Sequence, residues 1–144
     1  MVARLAGAAI VLTLLHSAAT SVAAEPVRAP KSGSVYEGGH ALGMRTLGKS
    51  IQIVGFNADC GRKTARTSLN DIALVKTDRG YRFRFRGSAN VTYLNSNRPD
   101  ENATVRFRGR FSRSAKSVRG VFRVTAPHCK TGDVKWRAFR SSSG

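Results

Sequence analysis

The sequence is short of acid. Against 25 lysines and arginines it sets only eight aspartates and glutamates, with three histidines. General acid–base chemistry therefore has few candidates. Glu25, Glu37, Asp59, Asp71, Asp78, Asp100, Glu101 and Asp133 fall one by one in loops, turns or strand ends. Beyond residue 24 the histidines are His40 and His128, each far along the chain from an acid of obvious role. No nucleophile elbow is present. Gly33, Gly38, Gly39 and Gly43 form a glycine-rich opening without the strand–loop–helix setting that phosphate cradles use. The reading is a protein that is not an enzyme and needs no cofactor.

Cysteine is equally scarce. Cys60 and Cys129 are the whole supply, too few for a zinc site, which wants about four ligands at suitable spacing. A reactive thiol would need a base to form thiolate. His128 adjoins Cys129, but neighbours in an extended segment point to opposite faces. Outside the cytosol a lone pair usually forms one disulfide, and Cys60–Cys129 is expected as such.

A long apolar run occurs once. Arg4 precedes LAGAAIVLTLL at positions 5–15, and small residues follow up to Val22-Ala23-Ala24. Charged start, apolar middle and small residues before a cut make a secretory signal. Residues 1–24 are expected to leave by cleavage near Ala24, giving a secreted or periplasmic protein. The run is short for a bilayer, which takes about 20 apolar residues, and no later segment could span one as a helix. Residues 25–33, EPVRAPKSG, read as a flexible leader, 34–140 as one folded domain and 141–144 as a frayed tail.

Within the domain the apolar residues recur at every second position. Ile51 and Ile53 share one face. Residues 70–76 form a strand, and Thr77-Asp78-Arg79-Gly80 is a turn. Tyr81, Phe83 and Phe85 share a face, followed by Val91 and Tyr93. Val105, Phe107, Gly109 and Phe111 alternate with arginines, as do Val118, Gly120, Phe122 and Val124. Val134, Trp136 and Ala138 close the series. Short strands about ten residues apart, with polar turns and no helical stripe, predict an all-β fold. It is either an antiparallel β-sandwich or a small up-and-down barrel, with one disulfide and Trp136 in the core.

The other face of these strands carries one sign of charge. Arg82, Arg84, Arg86, Arg106, Arg108, Arg110, Arg119, Arg123, Lys135 and Arg137 all alternate outward with no acid between them. Alternation alone needs only that one face be buried. The uniform sign needs more, because like charges across strands destabilise a sheet. The chain's formal charge is +17, and loss of residues 1–24 removes only Arg4. Charge segregated on one face is the footprint of an anionic partner, and the guanidinium fork suits phosphate, sulfate and carboxylate. The aromatics Tyr81, Phe83, Phe85, Phe107, Phe111 and Phe122 alternate away from the arginines, and only Phe139 shares their side. Single-strand nucleic-acid binders stack bases on rings that share the basic face, so sequence-specific nucleic-acid readout is not expected.

The succession GRF at 109–111, VRGVF at 118–122 and HCKTGDVKWRA at 128–138, with Tyr36-Glu37-Gly38 and Cys60 upstream, resembles uncharacterised small secreted bacterial β-domain proteins. These carry G-x-F strands followed by a C-x-x-G-x-x-x-W motif. The resemblance spans most of residues 34–140. It implies a secreted β fold and supplies no active site. The expected function is binding of an anionic polymer or lipid surface through the arginine face by a monomeric protein. The alternatives are an inhibitor or interaction module acting through loops such as 95–102, a small hydrolase, and a solvated face with no partner.

Overall fold

The computed structural model describes residues 17–142. The apolar run expected as the core of a signal, residues 5–15, lies outside them. The described residues form ten strands and no helix: β1 (Val35–Gly38), β2 (Leu42–Leu47), β3 (Ser50–Cys60), β4 (Lys63–Ala73), β5 (Val75–Thr77), β6 (Gly80–Tyr93), β7 (Glu101–Phe111), β8 (Ser117–Ala126), β9 (Cys129–Lys130) and β10 (Val134–Arg140). Among them no helix is long and apolar enough to cross a membrane.

The strands run antiparallel in the order β10-β1-β2-β3-β4-β6-β7-β8, and β10 also pairs with β8. The sheet therefore closes on itself as an eight-stranded barrel, with β5 and β9 appended to β6 and β8. Of the two architectures expected, the sandwich is not the one adopted. The reason lies in β10, which is paired on both sides: with β8 from Val134 to Phe139 and with β1 from Ala138 to Arg140. Full closure removes the two edges that a sandwich would leave. At this seam a Cβ on Gly38 would stand 2.0 Å from the Arg137 carbonyl oxygen, so only glycine lets β1 approach β10. Tyr36, fully buried, donates its hydroxyl to the Ala115 carbonyl at 2.6 Å and ties β1 to the hairpin between β7 and β8.

Two local expectations need correction. Ile53 does not share a face with Ile51: Ile51 is buried and Ile53 is 46% exposed. The pairing of β2 with β3 jumps from Arg45↔Ile53 to Thr46↔Ile51. Gln52 is the extra residue, and such a bulge shifts the strand's phase by one. The strand expected at 70–76 is in fact the end of β4 and the first two residues of β5, broken at Leu74. Beyond these, the segment 25–33 forms no strand, yet it is tied to the barrel. Arg28 donates its backbone N–H to Arg113, Arg113 bonds the Glu25 carbonyl, and Pro30 is buried.

An eight-stranded barrel has an interior just wide enough for side chains to fill. Here aromatic rings fill it. Phe107 stacks on Trp136 at 5.0 Å between centroids and on Phe56 at 5.2 Å, while Phe83 lies 5.6 Å from Phe107. The register explains how so many rings fit. Phe83, Gly109, Gly120 and Trp136 occupy one cross-strand row through β6, β7, β8 and β10. The two inner positions bear no side chain, and the outer two fold their rings over the vacated space. A Cβ on Gly120 would meet the Arg108 carbonyl at 1.9 Å and the Trp136 ring at 2.7 Å.

The disulfide forms as expected between Cys60, at the end of β3, and Cys129 in β9, across a sequence separation of 69. Closing a loop of that order stabilises by about 4 kcal/mol in the chain-entropy model.

Trp136 is the only tryptophan and is 5% exposed. Its emission is expected to be blue-shifted in the native state and to move red in denaturant. Trp136→Ala is expected to cost about 3–5 kcal/mol in urea unfolding. Gly120→Ala should also destabilise and should move the tryptophan emission, since the methyl group enters the ring's space. Native emission at the solvated wavelength, or a neutral Gly120→Ala, would contradict the packing.

Candidate functional site

The inward row has an outward consequence. Where Phe83 and Trp136 point inside and Gly109 and Gly120 point nowhere, the outer surface is bare backbone. The residues on either side in each strand point out, and they are long. The row Arg82–Arg110–Arg119–Arg137 runs on one side, each arginine directly opposite the next across the sheet. The row Arg84–Arg108–Val121–Lys135 runs on the other. Between them lies an open trough of about 1180 Å³ whose far end is lined by Ala73 and Val75. Neighbouring strands lie about 4.8 Å apart and alternate residues about 6.8 Å apart along a strand. The trough thus crosses four strands over about 14 Å.

A second, smaller trough of about 250 Å³ runs parallel to the first. It lies over the row Phe85–Phe107–Phe122, and its further wall is Arg86–Arg106–Arg123. Here the face is not free of acid as the sequence reading had it. Asp133, from the turn before β10, accepts a hydrogen bond from Arg123 Nε at 2.8 Å. That bond holds the Asp133 carboxyl below its ordinary range, with the charges of Arg123, Arg108 and Arg106 acting in the same direction. The two troughs therefore differ: the first is walled by cations and Val121 alone, the second has one charge compensated.

Every arginine named from the sequence as a candidate projects outward from β6, β7, β8 or β10, so the fold brings all nine onto one face. All are exposed except Arg110, which is half-buried. Phe139 also faces out, 57% exposed, with the Arg137 guanidinium 5.8 Å from its ring centre. The residues that sequence reasoning missed are Asp133, Val75 and Val121. The turn placing Asp133 before β10 was legible, but its reach to Arg123 depends on register.

A separate polar cluster sits near the disulfide. Glu101 accepts from the Tyr93 hydroxyl at 2.6 Å and from the His128 backbone N–H at 3.2 Å, and it contacts His128 Nδ1. Arg98 lies 3.9 Å from the same carboxylate and 5.8 Å from the Tyr93 ring. The sequence reading had found no acid for His128. Glu101, the first residue of β7, supplies one. Burial, then the hydrogen bond to Glu101, pushes the Tyr93 hydroxyl up to about 12. The Tyr93 bond, followed by those from His128, draws Glu101 below its ordinary value of 4.5. Among the described residues no group of three or more histidines, cysteines or acids is placed to hold a metal ion.

Because the folded-state pKa of Glu101 lies below its unfolded value, its contribution to stability is complete above about pH 4.5 and is lost as pH falls through the folded value. Asp133 acts in the same direction. Glu101→Gln is expected to lower the melting temperature at neutral pH and to lose less of it on acidification. Thermal unfolding at stepped pH checks this. An acid slope unchanged by the substitution would show that the cluster stores no such stability.

Comparison of the chain with protein-family models, curated proteins and solved structures finds no match, and its function has to be read from the basic face itself.

Proposed function

We propose that the protein is a secreted, monomeric, non-enzymatic β-barrel that binds anionic polymers or surfaces through the arginine face. The observation that carries this reading is the register. Arg82, Arg110, Arg119 and Arg137 stand directly opposite one another across four strands. Solvation of an outward face accounts for polar residues there but not for a row of one sign, which destabilises the sheet it stands on. A partner that neutralises the row offsets that cost, so binding and folding are coupled. The disulfide fits an oxidising compartment, where such partners are anionic lipids and surface polymers.

The loop alternative has less to support it. Within 95–102 two of the three charged side chains, Arg98 and Glu101, turn toward each other, and Glu101 is further engaged by Tyr93 and His128. We read that cluster as a latch holding the loop to the barrel and not as an acid–base pair.

Polyphosphate or a sulfated glycan is expected to raise the melting temperature at low salt, and added salt should reverse the effect. Replacing Arg84 and Arg108 together by Gln removes a directly opposed pair. The double variant should be slightly more stable than the parent when free, and should gain less from the polyanion. A variant stabilised by polyanion as much as the parent would reduce these arginines to a solvated face.

A further inference from the structure

The shape of the face narrows the partner beyond its charge. An anionic surface that is flat, such as a bilayer, meets the outer tips of the arginines but cannot reach the floor between them. A narrow chain can. The floor of the larger trough is main chain along the row Phe83–Gly109–Gly120–Trp136, and cationic walls rise on both sides. The trough runs across the strands, so successive charges on one wall come about 4.8 Å apart, from a different strand each time. No ring is turned into it: Phe83 and Trp136 are buried, 3% and 5% exposed. Bases lying in the trough would find no ring to stack on, since the exposed Phe139 lies outside its lining, and a polymer that carries its charge on bulky rings would be held off the floor.

Resting on the binding role proposed above, we infer that the larger trough takes an unbranched phosphate polymer lying crosswise to the strands. Its phosphates sit between the Arg82–Arg110–Arg119–Arg137 wall and the wall formed by Arg84, Arg108 and Lys135. The tetrahedral oxyanion accepts paired bonds from guanidinium forks, and four strands in register set a minimum length for the ligand. Val121 breaks the second wall between Arg108 and Lys135 and is the one position where a cation could be added. The smaller trough is the weaker site, because Asp133 already occupies Arg123.

The test compares tripolyphosphate, long-chain polyphosphate, heparin and phosphatidylglycerol vesicles by titration calorimetry at low salt. Affinity is taken per phosphate, sulfate or headgroup. Long-chain polyphosphate is expected to bind at least about tenfold more tightly than tripolyphosphate, and more tightly than heparin or vesicles. Arg110→Gln with Arg119→Gln, the two inner members of the first wall, should weaken the long chain about tenfold. It should also flatten the dependence of log K on log salt by about 1.4, or about 0.7 for each charge on a single-stranded polymer. The control Arg45→Gln with Arg62→Gln removes the same charge from β2 and the turn after β3 and should weaken binding far less. Val121→Arg should tighten binding and steepen the salt dependence, which keeps the test informative should loss of Arg110 disturb the fold. Equal losses in both double variants, equal affinity for tripolyphosphate, or tighter binding to vesicles or heparin would overturn the trough assignment while leaving a polyanion-binding role. Failure of every polyanion to bind would overturn that role itself.

Discussion

The structure depends on one row of the sheet. Phe83 and Trp136 can lie flat across the interior only because Gly109 and Gly120, between them in register, present no side chain. A barrel of eight strands has little interior to spare, and two large rings at one level would overfill it if their neighbours were valines. The same vacancy lets β7 and β8 approach closely, since a Cβ on Gly120 would meet the Arg108 carbonyl at 1.9 Å and one on Gly109 the Arg119 carbonyl at 2.8 Å. The inward orientation of the whole row leaves a strip of uncovered backbone on the outside, as the row Phe85–Phe107–Phe122 does beneath the smaller trough. Core packing, the close approach of β7 to β8 and the floor of the external trough meet at the same four positions.

Around that strip the electrostatics oppose the fold. Arginines facing one another across neighbouring strands repel, and salt only screens the effect. What holds the strands in place is the ring stack led by Phe56, Phe107, Phe122 and Trp136, closure through β10, and the Cys60–Cys129 crosslink. Repulsion is thereby confined to flexible side-chain ends above a fixed backbone. Asp133 relieves one corner by bonding Arg123. The remaining charge stays uncompensated on a rigid frame, an arrangement that is costly alone and favourable toward a polyanion.

The sequence made this face legible because alternation is a local property. Tyr81 to Arg86, Val105 to Phe111 and Val118 to Val124 state which side each residue takes, and the cysteine pair was readable by elimination. Closure was not legible. Whether the sheet folds over as a sandwich or shuts as a barrel depends on β10 finding both β8 and β1, and nothing within Val134–Arg140 records two partners. β1 and β2 were unassigned because they are short and lie among the glycines of the opening, Gly38, Gly39 and Gly43. Ile53 was misplaced because a bulge at Gln52 leaves no local mark. The alignment of arginine with arginine was equally hidden. It is set by the hairpin at 112–116 and the loop at 94–100, whose lengths fix register without announcing it.

The most direct measurement of the central claim is a map of arginine side-chain NMR signals on addition of long-chain polyphosphate. Polyphosphate is predicted to shift the Nε–Hε signals of Arg82, Arg84, Arg108, Arg110, Arg119 and Arg137 together, along with the amides of Gly109 and Gly120 on the trough floor. Arg45, Arg62 and Arg113 should stay unmoved. Shifts spread evenly over all arginines, or confined to side-chain tips with the glycine amides unaffected, would contradict a ligand seated in the trough.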